Sequence, residues 1–369
     1  MEIASITATP FSIALRHPQT FASGSLSAAE HVLVEVVTED GVSGFGEAIP
    51  RPMVYGETLA SVTHAIERLI APALIGSRLT DRAAMRHELR HLVGNPTARS
   101  AVELAAFDAL GRTLGVPCHR LLGGFTDSVA CTAILHDAPL EAVVADARSV
   151  QEETGVASFK VKVGMDLSRD IALLEALRAQ LGDDARLYCD GNCGYTLAEA
   201  TRFADATKDL GLVCIEEPVP TGGALGRQRL TEHSRTPIMG DESCPDLASV
   251  TRELLASRCT MVAIKVARTA ILASEEIRAF CAATGTDVIV ASQGDSAIGM
   301  LANAAFAASS PITCTHPAEL MFFLELTDNL VSDVPPIRAG RMALPDAPGF
   351  GYAVDRERLR KYEIPRSAP

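Results

Sequence analysis

The sequence contains few basic residues relative to acidic ones. Its 33 lysines and arginines are outnumbered by 46 aspartates and glutamates, so the formal net charge is −13. Such a chain offers no basic stripe for a phosphate backbone or an anionic membrane surface, so we expect neither nucleic acid nor membrane as a partner. If the substrate is itself an anion, a bound cation has to overcome this negative field locally.

The sequence also lacks paired cysteine motifs and long apolar runs. None of its nine cysteines belongs to a CxxC pair, and most lie in apolar stretches such as LVCIEEP. This usage favours buried free thiols in a reducing compartment over a disulfide framework or a zinc site. The sequence does not open with a basic segment followed by an apolar stretch, and no later run approaches about 20 apolar residues. We therefore expect a cytoplasmic protein of enzyme size.

The length of 369 residues predicts one large domain together with a smaller one. Apolar and polar residues alternate in EIASITATPFSIAL and in HVLVEVVTEDGVSGFGEAI, which predicts a small antiparallel sheet with a turn at EDG. Helical patterns follow in SVTHAIERLIAPALIG and SAVELAAFDALGRTLG, and each ends at a glycine. The simplest prediction is an α+β domain over residues 1–125. We interpret Gly44 and Gly46 in GFGEA as a close backbone approach rather than a phosphate cradle.

Short β-rich runs then recur from Val129 onward at roughly 25-residue intervals, which is the length of one βα unit. A regular series of βα units predicts a parallel sheet, and eight such units favour a closed barrel over an open doubly wound sheet. An open sheet usually has a Gly-rich turn after its first strand, and VACTAILHDAPLEAV has none. We predict a barrel over 126–325 and a tail over 326–369 that returns to the first domain. The predicted strands are VACTAIL, SFKVKVG, RLYCDGN, LVCIEEP, PIMGDES, TMVAIKV, DVIVASQ and PITCTHP.

Charged or polar residues close almost every one of these runs. In a barrel of this kind the chemistry lies at the carboxyl ends of the strands. Residues two apart on a strand share a face, so Lys160 and Lys162 are expected to point together. An isolated pair of this kind is usually one snorkelling lysine and one paired with a carboxylate. The full set of strand-end residues is Lys160, Lys162, Asp190, Asn192, Glu216, Glu217, Asp241, Glu242, Lys265, Asp295 and Glu319.

Three consecutive strands end in an acid: Asp190, Glu216 and Asp241. These acids are expected to lie side by side along one rim of the barrel. Three hard oxygen ligands suit Mg²⁺ or Mn²⁺. A single acid after a strand is usually a helix cap. Three acids at the same position in consecutive βα units, with lysines opposite them, instead favour a metal site. Composition does not settle whether Glu216 or Glu217 is the ligand, and the alternation from Cys214 favours Glu216.

Lysines on two sides of this predicted metal site indicate proton transfer. A divalent cation and a second ammonium both disfavour protonation, so one lysine of the pair can exchange a proton at neutral pH. Lys265 lies four strands beyond the pair and would approach from across the barrel. A metal that holds a carboxylate between two lysines is the arrangement that enolate chemistry requires.

The motifs KVKVG, DGNCGYT, IEEPVP, GDES and AIKVAR resemble, in the same order, the strand-end motifs of the muconate-lactonizing subgroup of the enolase superfamily. The resemblance covers nearly the whole chain. It implies a (β/α)8-type barrel in its modified (β/α)7β form, with an N-terminal α+β capping domain that the C-terminal tail completes. It also implies a homo-oligomer, commonly an octamer, that acts on a small-molecule dicarboxylate.

The same resemblance implies roles for the strand-end residues. Mg²⁺ or Mn²⁺ would be held by Asp190, Glu216 and Asp241, and Lys162 and Lys265 would be the acid/base pair. Lys160 would orient Lys162 and bind the substrate carboxylate. Residues expected beside the metal ligands are Asn192, Glu242 and Asp295, the last of which is shorter than the glutamate usual in relatives.

The substrate is predicted from the segment after the eighth strand. Relatives that epimerise dipeptides carry a D-x-D pair there, and THPAELMFF has none. Muconate cycloisomerases tend to show ELFGP, to which AELMFF is similar in its Glu-Leu, although Met-Phe-Phe replaces Phe-Gly-Pro. We therefore expect a cycloisomerase of aromatic catabolism that converts cis,cis-muconate to muconolactone. Its expected substrate contacts are Glu319 and Phe322, with Tyr55, His17 and Phe21 from lid loops.

Other functions remain open at this point. Within the subgroup they are dipeptide epimerase, N-acylamino acid racemase and o-succinylbenzoate synthase. Outside it they are a Schiff-base lysine aldolase, which has no need of three rim carboxylates, and a barrel that binds a small acid without turnover. The alternative role for His17, Phe21 and Tyr55 is packing between the domains.

Overall fold

A computed structural model of the protein describes residues 1–22 and 24–365, without the side chain of Phe21. Strands β1 (Ile3–Phe21), β2 (Gly24–Thr38) and β3 (Ser43–Ala48) form the predicted antiparallel sheet at the N-terminus. Helical elements follow it: α1 (Pro52–Tyr55), α2 (Leu59–His64), a π-helix (Ala65–Ile70), α3 (Ala71–Leu74), α4 (Arg82–Arg90), α5 (Pro96–Leu114) and α6 (Cys118–Leu121).

Two glycines let β3 lie directly against α5. A Cβ atom on Gly44 would stand 2.2 Å from the backbone nitrogen of Ala109, and one on Gly46 would stand 2.1 Å from the carbonyl oxygen of Ala101. No side chain fits in these spaces, so the predicted close backbone approach is confirmed. This contact orients β3, and the segment after β3 leads to the mouth of the barrel.

The barrel consists of parallel strands that pair in chain order, and the last strand pairs with the first and closes the ring. The strands are β4 (Ser128–Leu135), β5 (Ser158–Lys162), β6 (Arg186–Asp190), β7 (Ile215–Glu216), β8 (Ile238–Gly240), β9 (Met261–Ile264), β10 (Asp287–Val290) and β11 (Ala318–Glu319). A helix follows each strand from β4 to β10, which is the (β/α)7β form: α7 (Leu140–Thr154), α8 (Leu167–Leu181), α9 (Leu197–Thr207), α10 (Ala224–His233), α11 (Leu247–Leu255), α12 (Val266–Thr284) and α13 (Ala297–Ala307).

The position predicted for the eighth strand is wrong. Within PITCTHP, the segment Ile312–Cys314 is a 3₁₀ helix, and the strand is the following Ala318–Glu319. The physical reason is the proline at each end of the predicted run. Pro311 and Pro317 have no N–H to donate to a strand ladder, and both φ angles are restricted. Only the two residues after the second proline are placed to pair with β4.

The tail first extends the barrel sheet and then returns to the N-terminal domain, as predicted. Strand β13 (Arg341–Ala343) pairs antiparallel with β4 and with the preceding β12 (Ile337–Arg338). Farther on, the Phe350 N–H donates to Asp108 Oδ1 over 2.7 Å, and the Tyr352 hydroxyl donates to the Phe45 carbonyl over 3.0 Å. Helix α14 (Arg356–Tyr362) follows.

All nine cysteines lie within the described residues as free thiols, as predicted, and seven of them are buried. In the same part of the chain, none of the helices combines the length and the apolarity that a membrane crossing requires.

Candidate active site

Parallel pairing brings the predicted strand-end residues to one rim of the barrel. Lys162 lies opposite Asp190 in the ladder of β5 and β6, and Asp190 lies opposite Glu216 in the ladder of β6 and β7. Asp241 follows β8 directly, and Lys265 follows β9 directly. Because β9 is four strands from β5 in a closed ring, Lys265 approaches the site from the side opposite the two other lysines.

Lys160 lies buried among three carboxylates. Its side chain is 2% exposed, and its Nζ lies 2.7 Å from Glu216 Oε2, 3.0 Å from Asp190 Oδ2 and 2.9 Å from Glu319 Oε1. Burial by itself lowers the pKa of Lys160, but the negative charges of these carboxylates outweigh it and raise the pKa well above its ordinary value. Lys160 is therefore a fixed positive charge in the floor of the site.

Lys162 is the more accessible lysine of the pair. Its Nζ donates to Asp190 Oδ2 over 2.8 Å and to Asn192 Oδ1 over 2.7 Å. The Asn192 amide in turn donates to Glu242 Oε1 over 3.2 Å, so Asn192 connects Glu242 to Lys162. Lys160 and Lys162 contact the same oxygen of Asp190, and this shared contact fixes their ammonium groups relative to one another.

Lys265 donates to Asp241 Oδ2, and Arg268 Nη1 lies 2.7 Å from the other oxygen of that carboxylate. Burial raises the pKa of Asp241, but Lys265 and Arg268 outweigh it and hold the pKa below its ordinary range. Arg268 was not among the residues predicted from the sequence. The signal was present in AIKVAR, since residues three apart at the start of a helix lie on the same side.

The structure distinguishes Glu216 from Glu217. Glu216 points into the barrel to Lys160, whereas Glu217 Oε2 accepts hydrogen bonds from the backbone nitrogens of Asp241 and Ser243 over 2.8 and 2.9 Å. Glu217 also pairs with Arg227 outside the barrel rim. Glu217 thus fixes the loop that carries Asp241, and Glu216 remains the candidate ligand.

The donor chemistry of Asp190, Glu216 and Asp241 fits a hard divalent cation. Within residues 1–22 and 24–365 the buried Oε1 of Glu216 has no hydrogen-bonding partner. Burial and the neighbouring Asp190 carboxylate raise the pKa of Glu216, an effect that a bound cation reverses. In the same residues, no three His, Cys, Asp or Glu side chains are arranged as a metal site, and Lys160 contacts two of the three acids.

The hydrogen bonds of Asp295 go to residues other than the predicted metal ligands. Its Oδ2 accepts hydrogen bonds from Ser292 Oγ, from the Gln293 backbone nitrogen and from Asn303 Nδ2 over 2.6, 2.9 and 3.1 Å. The expectation that it supports the ligands is therefore corrected. Its side chain is shorter than the expected glutamate and folds back on its own loop, where it orders the residues after β10.

The rim opens into a cavity of about 110 Å³ between the barrel and the N-terminal domain. Among the predicted substrate contacts, Tyr55, Glu319 and Phe322 line it. Both Glu319 oxygens also accept protein hydrogen bonds: one from Lys160 and the Tyr188 hydroxyl, the other from the Ser292 backbone nitrogen.

The two other residues predicted to contact substrate are His17 and Phe21. His17 is exposed and does not line the cavity; its electrostatic neighbours are Asp146 and Glu325, so the structure corrects the expectation that it contacts substrate. Its strand segment reaches the cavity through Gln19, two residues later, instead. The side chain of Phe21 lies outside the described residues.

His136 lines the cavity and was not among the residues predicted from the sequence. It directly follows β4, and its Nδ1 has no hydrogen-bonding partner in the described part of the chain. Burial and the nearby charges of Lys162 and Lys160 lower its pKa from 6.5 to about 3. The imidazole is therefore neutral at physiological pH. Its position after the first barrel strand was the available signal.

Comparisons with known proteins agree with this fold. Residues 4–123 match the family model "Mandelate racemase / muconate lactonizing enzyme, N-terminal domain", and residues 142–358 match "Enolase C-terminal domain-like". The chain is 31% identical over 314 residues to the L-Ala-D/L-Glu epimerase of Bacillus subtilis, which covers 84% of this chain and 86% of that protein.

Two solved structures are similar over nearly the whole chain. A muconate lactonizing enzyme of Mycobacterium smegmatis complexed with muconolactone has a TM-score of 0.97 and 39% identity, covering 99% of this chain and 100% of that chain. A dipeptide epimerase of Enterococcus faecalis complexed with Mg and the dipeptide L-Leu-L-Tyr has a TM-score of 0.90 and 27% identity, covering 96% and 100%. Proteins that resemble this chain over nearly its whole length therefore have more than one activity.

Proposed function

The chain belongs to the enolase superfamily, in its mandelate racemase / muconate lactonizing enzyme family, and from this premise we propose that it converts cis,cis-muconate to muconolactone. The observation that carries the proposal is the position of Lys162 and Lys265 on opposite sides of one cavity, around three acidic strand ends. This arrangement suits a substrate carbon that carries negative charge during the reaction.

Each lysine has a separate task in the proposed reaction. One substrate carboxylate lies beside Lys160, and the distal carboxylate adds to the conjugated double bond. This addition closes the lactone ring and leaves an enolate on the remaining carboxylate. Lys162 Nζ then gives a proton to the α-carbon and regains one from solvent, while Lys265 stabilises charge from the opposite side.

The proposal includes a divalent cation. Asp190, Glu216 and Asp241 would hold Mg²⁺ or Mn²⁺, which when bound supplies Lewis-acid stabilisation of the negative charge on the substrate carboxylate. The partnerless Oε1 of Glu216 supports this assignment. The proposal also includes a homo-oligomer of eight subunits, which light scattering of the purified protein tests.

The structure around Glu319 favours an acid without an ammonium group as substrate. This glutamate closes β11, where relatives that bind dipeptides carry acids, and both of its oxygens already accept hydrogen bonds from the protein. The next cavity residue on this segment is the apolar Phe322. In the described chain, this strand end therefore provides no carboxylate that is unengaged and ready for a substrate ammonium.

The test of the proposal is an ultraviolet assay for loss of cis,cis-muconate, with the protein treated with EDTA and then supplied with Mg²⁺. We expect turnover only after Mg²⁺ is restored, with muconolactone as product. Absence of turnover at saturating muconate and Mg²⁺ would refute the assignment.

A second candidate is racemisation or epimerisation of an acylated amino acid or a dipeptide, because opposed lysines can also remove a proton on one face and return it on the other. The B. subtilis relative has such an activity in its name. Incubation in D₂O distinguishes the two reactions. A racemase or epimerase exchanges deuterium into recovered substrate, whereas lactonisation places deuterium only in the product.

A further inference from the structure

The cavity contains a positive charge that no carboxylate neutralises by contact in the described part of the chain. Lys160 and Lys162 lie within 3.0 Å of carboxylate oxygens, and Lys265 is paired with Asp241. Arg51 also lines the cavity, but its Nη2 donates to the backbone carbonyl of Gln293 over 2.5 Å instead. The acids that act on its charge, Asp295 and Glu47, do so only from beyond ion-pair distance.

Arg51 occupies a place formed by its neighbours. Gly294 has a φ of +86°, and a Cβ atom there would stand 2.4 Å from Arg51 Nη2 and 3.4 Å from Cζ of Phe322. The guanidinium thus lies against the backbone of Gly294, which has no side chain, and near the ring of Phe322. The Tyr55 hydroxyl donates to Gln293 Oε1 over 3.1 Å, and Gln293 Nε2 donates to the Ile49 carbonyl over 2.9 Å. These bonds join the loop that carries Arg51 to the loop after β10.

A held guanidinium facing a cavity is suited to a carboxylate. Its N–H groups form charge-assisted hydrogen bonds with carboxylate oxygens, and it retains its charge at any physiological pH. The cavity wall near it includes the apolar side chains of Leu26, Val54 and Phe322, which can contact a short hydrocarbon chain. A substrate with an ammonium group in this position would be repelled.

We propose that Arg51 is a specificity-determining residue that binds the distal carboxylate of a dicarboxylate substrate. This inference rests on the proposed function, in which the first carboxylate lies beside Lys160. Arg51 holds one oxygen of the distal carboxylate and leaves the other directed at the double bond. The residue therefore selects diacids and also orients the attacking group.

The experiment compares ligands that the protein cannot turn over. Adipate, a saturated six-carbon diacid, and hexanoate, its monoacid counterpart, are titrated calorimetrically into the Mg²⁺-loaded protein. We expect wild type to bind adipate about 10- to 100-fold more tightly than hexanoate, the range for a hydrogen-bonded charged group. Arg51→Met should reduce the ratio to near one, and Arg51→Lys should retain part of it.

Arg229→Met is the matched control, because Arg229 is an exposed arginine on α10 that does not line the cavity. Its ratio should equal that of wild type. Arg51→Gln provides a second test if Arg51→Met does not fold, as judged by circular dichroism. An adipate preference that persists in the Arg51 variants, or is lacking in wild type, would overturn the inference.

This measurement is independent of muconate turnover. Loss of the adipate preference in Arg51→Met supports the inference even if the ultraviolet assay shows no lactonisation, in which case a different diacid is the substrate. If muconate is turned over but the preference does not depend on Arg51, the inference fails and the proposed function stands. With muconate as substrate, we also expect Arg51→Met to raise KM by at least about 10-fold, since it removes a contact already made in the bound substrate.

Discussion

Lys162 and Asp190 face each other across adjacent barrel strands, with Nζ 2.8 Å from Oδ2, although 28 positions separate them in the sequence. The same carboxylate oxygen lies 3.0 Å from the Nζ of Lys160. One acid therefore positions both ammonium groups, and both lysines line the cavity. This relationship explains why two lysines share one face of a buried strand.

Lys162→Met should lower kcat by a factor of about 10² to 10⁴, the range for loss of a positioned general acid. The barrel should remain folded, because Asp190 keeps its contact with Lys160. Steady-state kinetics and circular dichroism test both statements. Lys162→Arg is the control: it keeps the positive charge but does not exchange a proton at neutral pH, so it should also be inactive. A Lys162→Met variant with near-normal kcat would rule out this lysine as the acid.

Glu319→Gln should destabilise the metal-free protein by about 1.5 to 3 kcal/mol, the range for a hydrogen bond to a charged group, because Lys160 keeps its contacts with Asp190 and Glu216. The carboxylate of Glu319 accepts hydrogen bonds from Lys160 and the Tyr188 hydroxyl, and all three groups are buried. Urea unfolding with EDTA present measures the change. Tyr188→Phe, which removes one neutral donor to the same oxygen, should cost only about 1 kcal/mol. Equal losses in the two variants would contradict the view that the charge on Glu319 holds Lys160.

Acidification should destabilise wild type more than a His136→Asn variant. Burial, Lys162 and Lys160 lower the pKa of His136 to about 3 in the folded protein, whereas the unfolded chain binds this proton below pH 6.5. Since the unfolded state then binds more protons, stability is lost as the pH falls from about 6.5 toward 3. The free energy of unfolding of wild type should fall by about 2 kcal/mol more than that of the variant between pH 7.5 and 5.0. Urea titrations at the two pH values measure this difference, and parallel losses would show that His136 does not cause it.

Gly46→Ala should destabilise the protein by about 3 kcal/mol or more, because the added methyl group meets backbone atoms that cannot move aside. Its Cβ would lie 2.1 Å from Ala101 O and 2.8 Å from Ala105 N. Gly222→Ala is the matched control, since a Cβ there has nothing within 4 Å. It should change the free energy of unfolding by less than about 0.5 kcal/mol. A Gly46→Ala protein as stable as this control would mean that β3 and α5 can separate at little cost.

The site residues that lie at the ends of regularly spaced strands could be predicted from the sequence. Asp190, Glu216 and Asp241 recur with the spacing of the βα unit, and Lys160 and Lys162 follow the two-residue period of a strand. Both periods are local properties of the chain, and a parallel barrel brings all its strand ends to one rim. The choice of Glu216 over Glu217 as candidate ligand follows from the same alternation, and in the structure Glu216 contacts Lys160 inside the barrel whereas Glu217 accepts from the Asp241 backbone nitrogen.

The incorrect predictions involve residues outside these periods. Asp295 was assigned by its place after the seventh strand, but its short side chain bonds to Ser292 and Asn303. PITCTHP has the apolar character of a strand, but two prolines leave only Ala318–Glu319 to pair with β4. His17 was assigned from its loop, and the structure directs Gln19 of that segment to the cavity instead.

The sequence by itself therefore determined the fold class, the order of the strand ends and the set of acids and lysines that they present, since each depends on periods of a few residues or of one βα unit. Only the tertiary structure decided that Arg51 and Gln19 complete the cavity, that Glu319 holds Lys160, and that Arg268 shares Asp241 with Lys265. Most of these contacts join residues far apart in the chain, and all depend on how side chains and domains pack together in three dimensions, which no local pattern encodes.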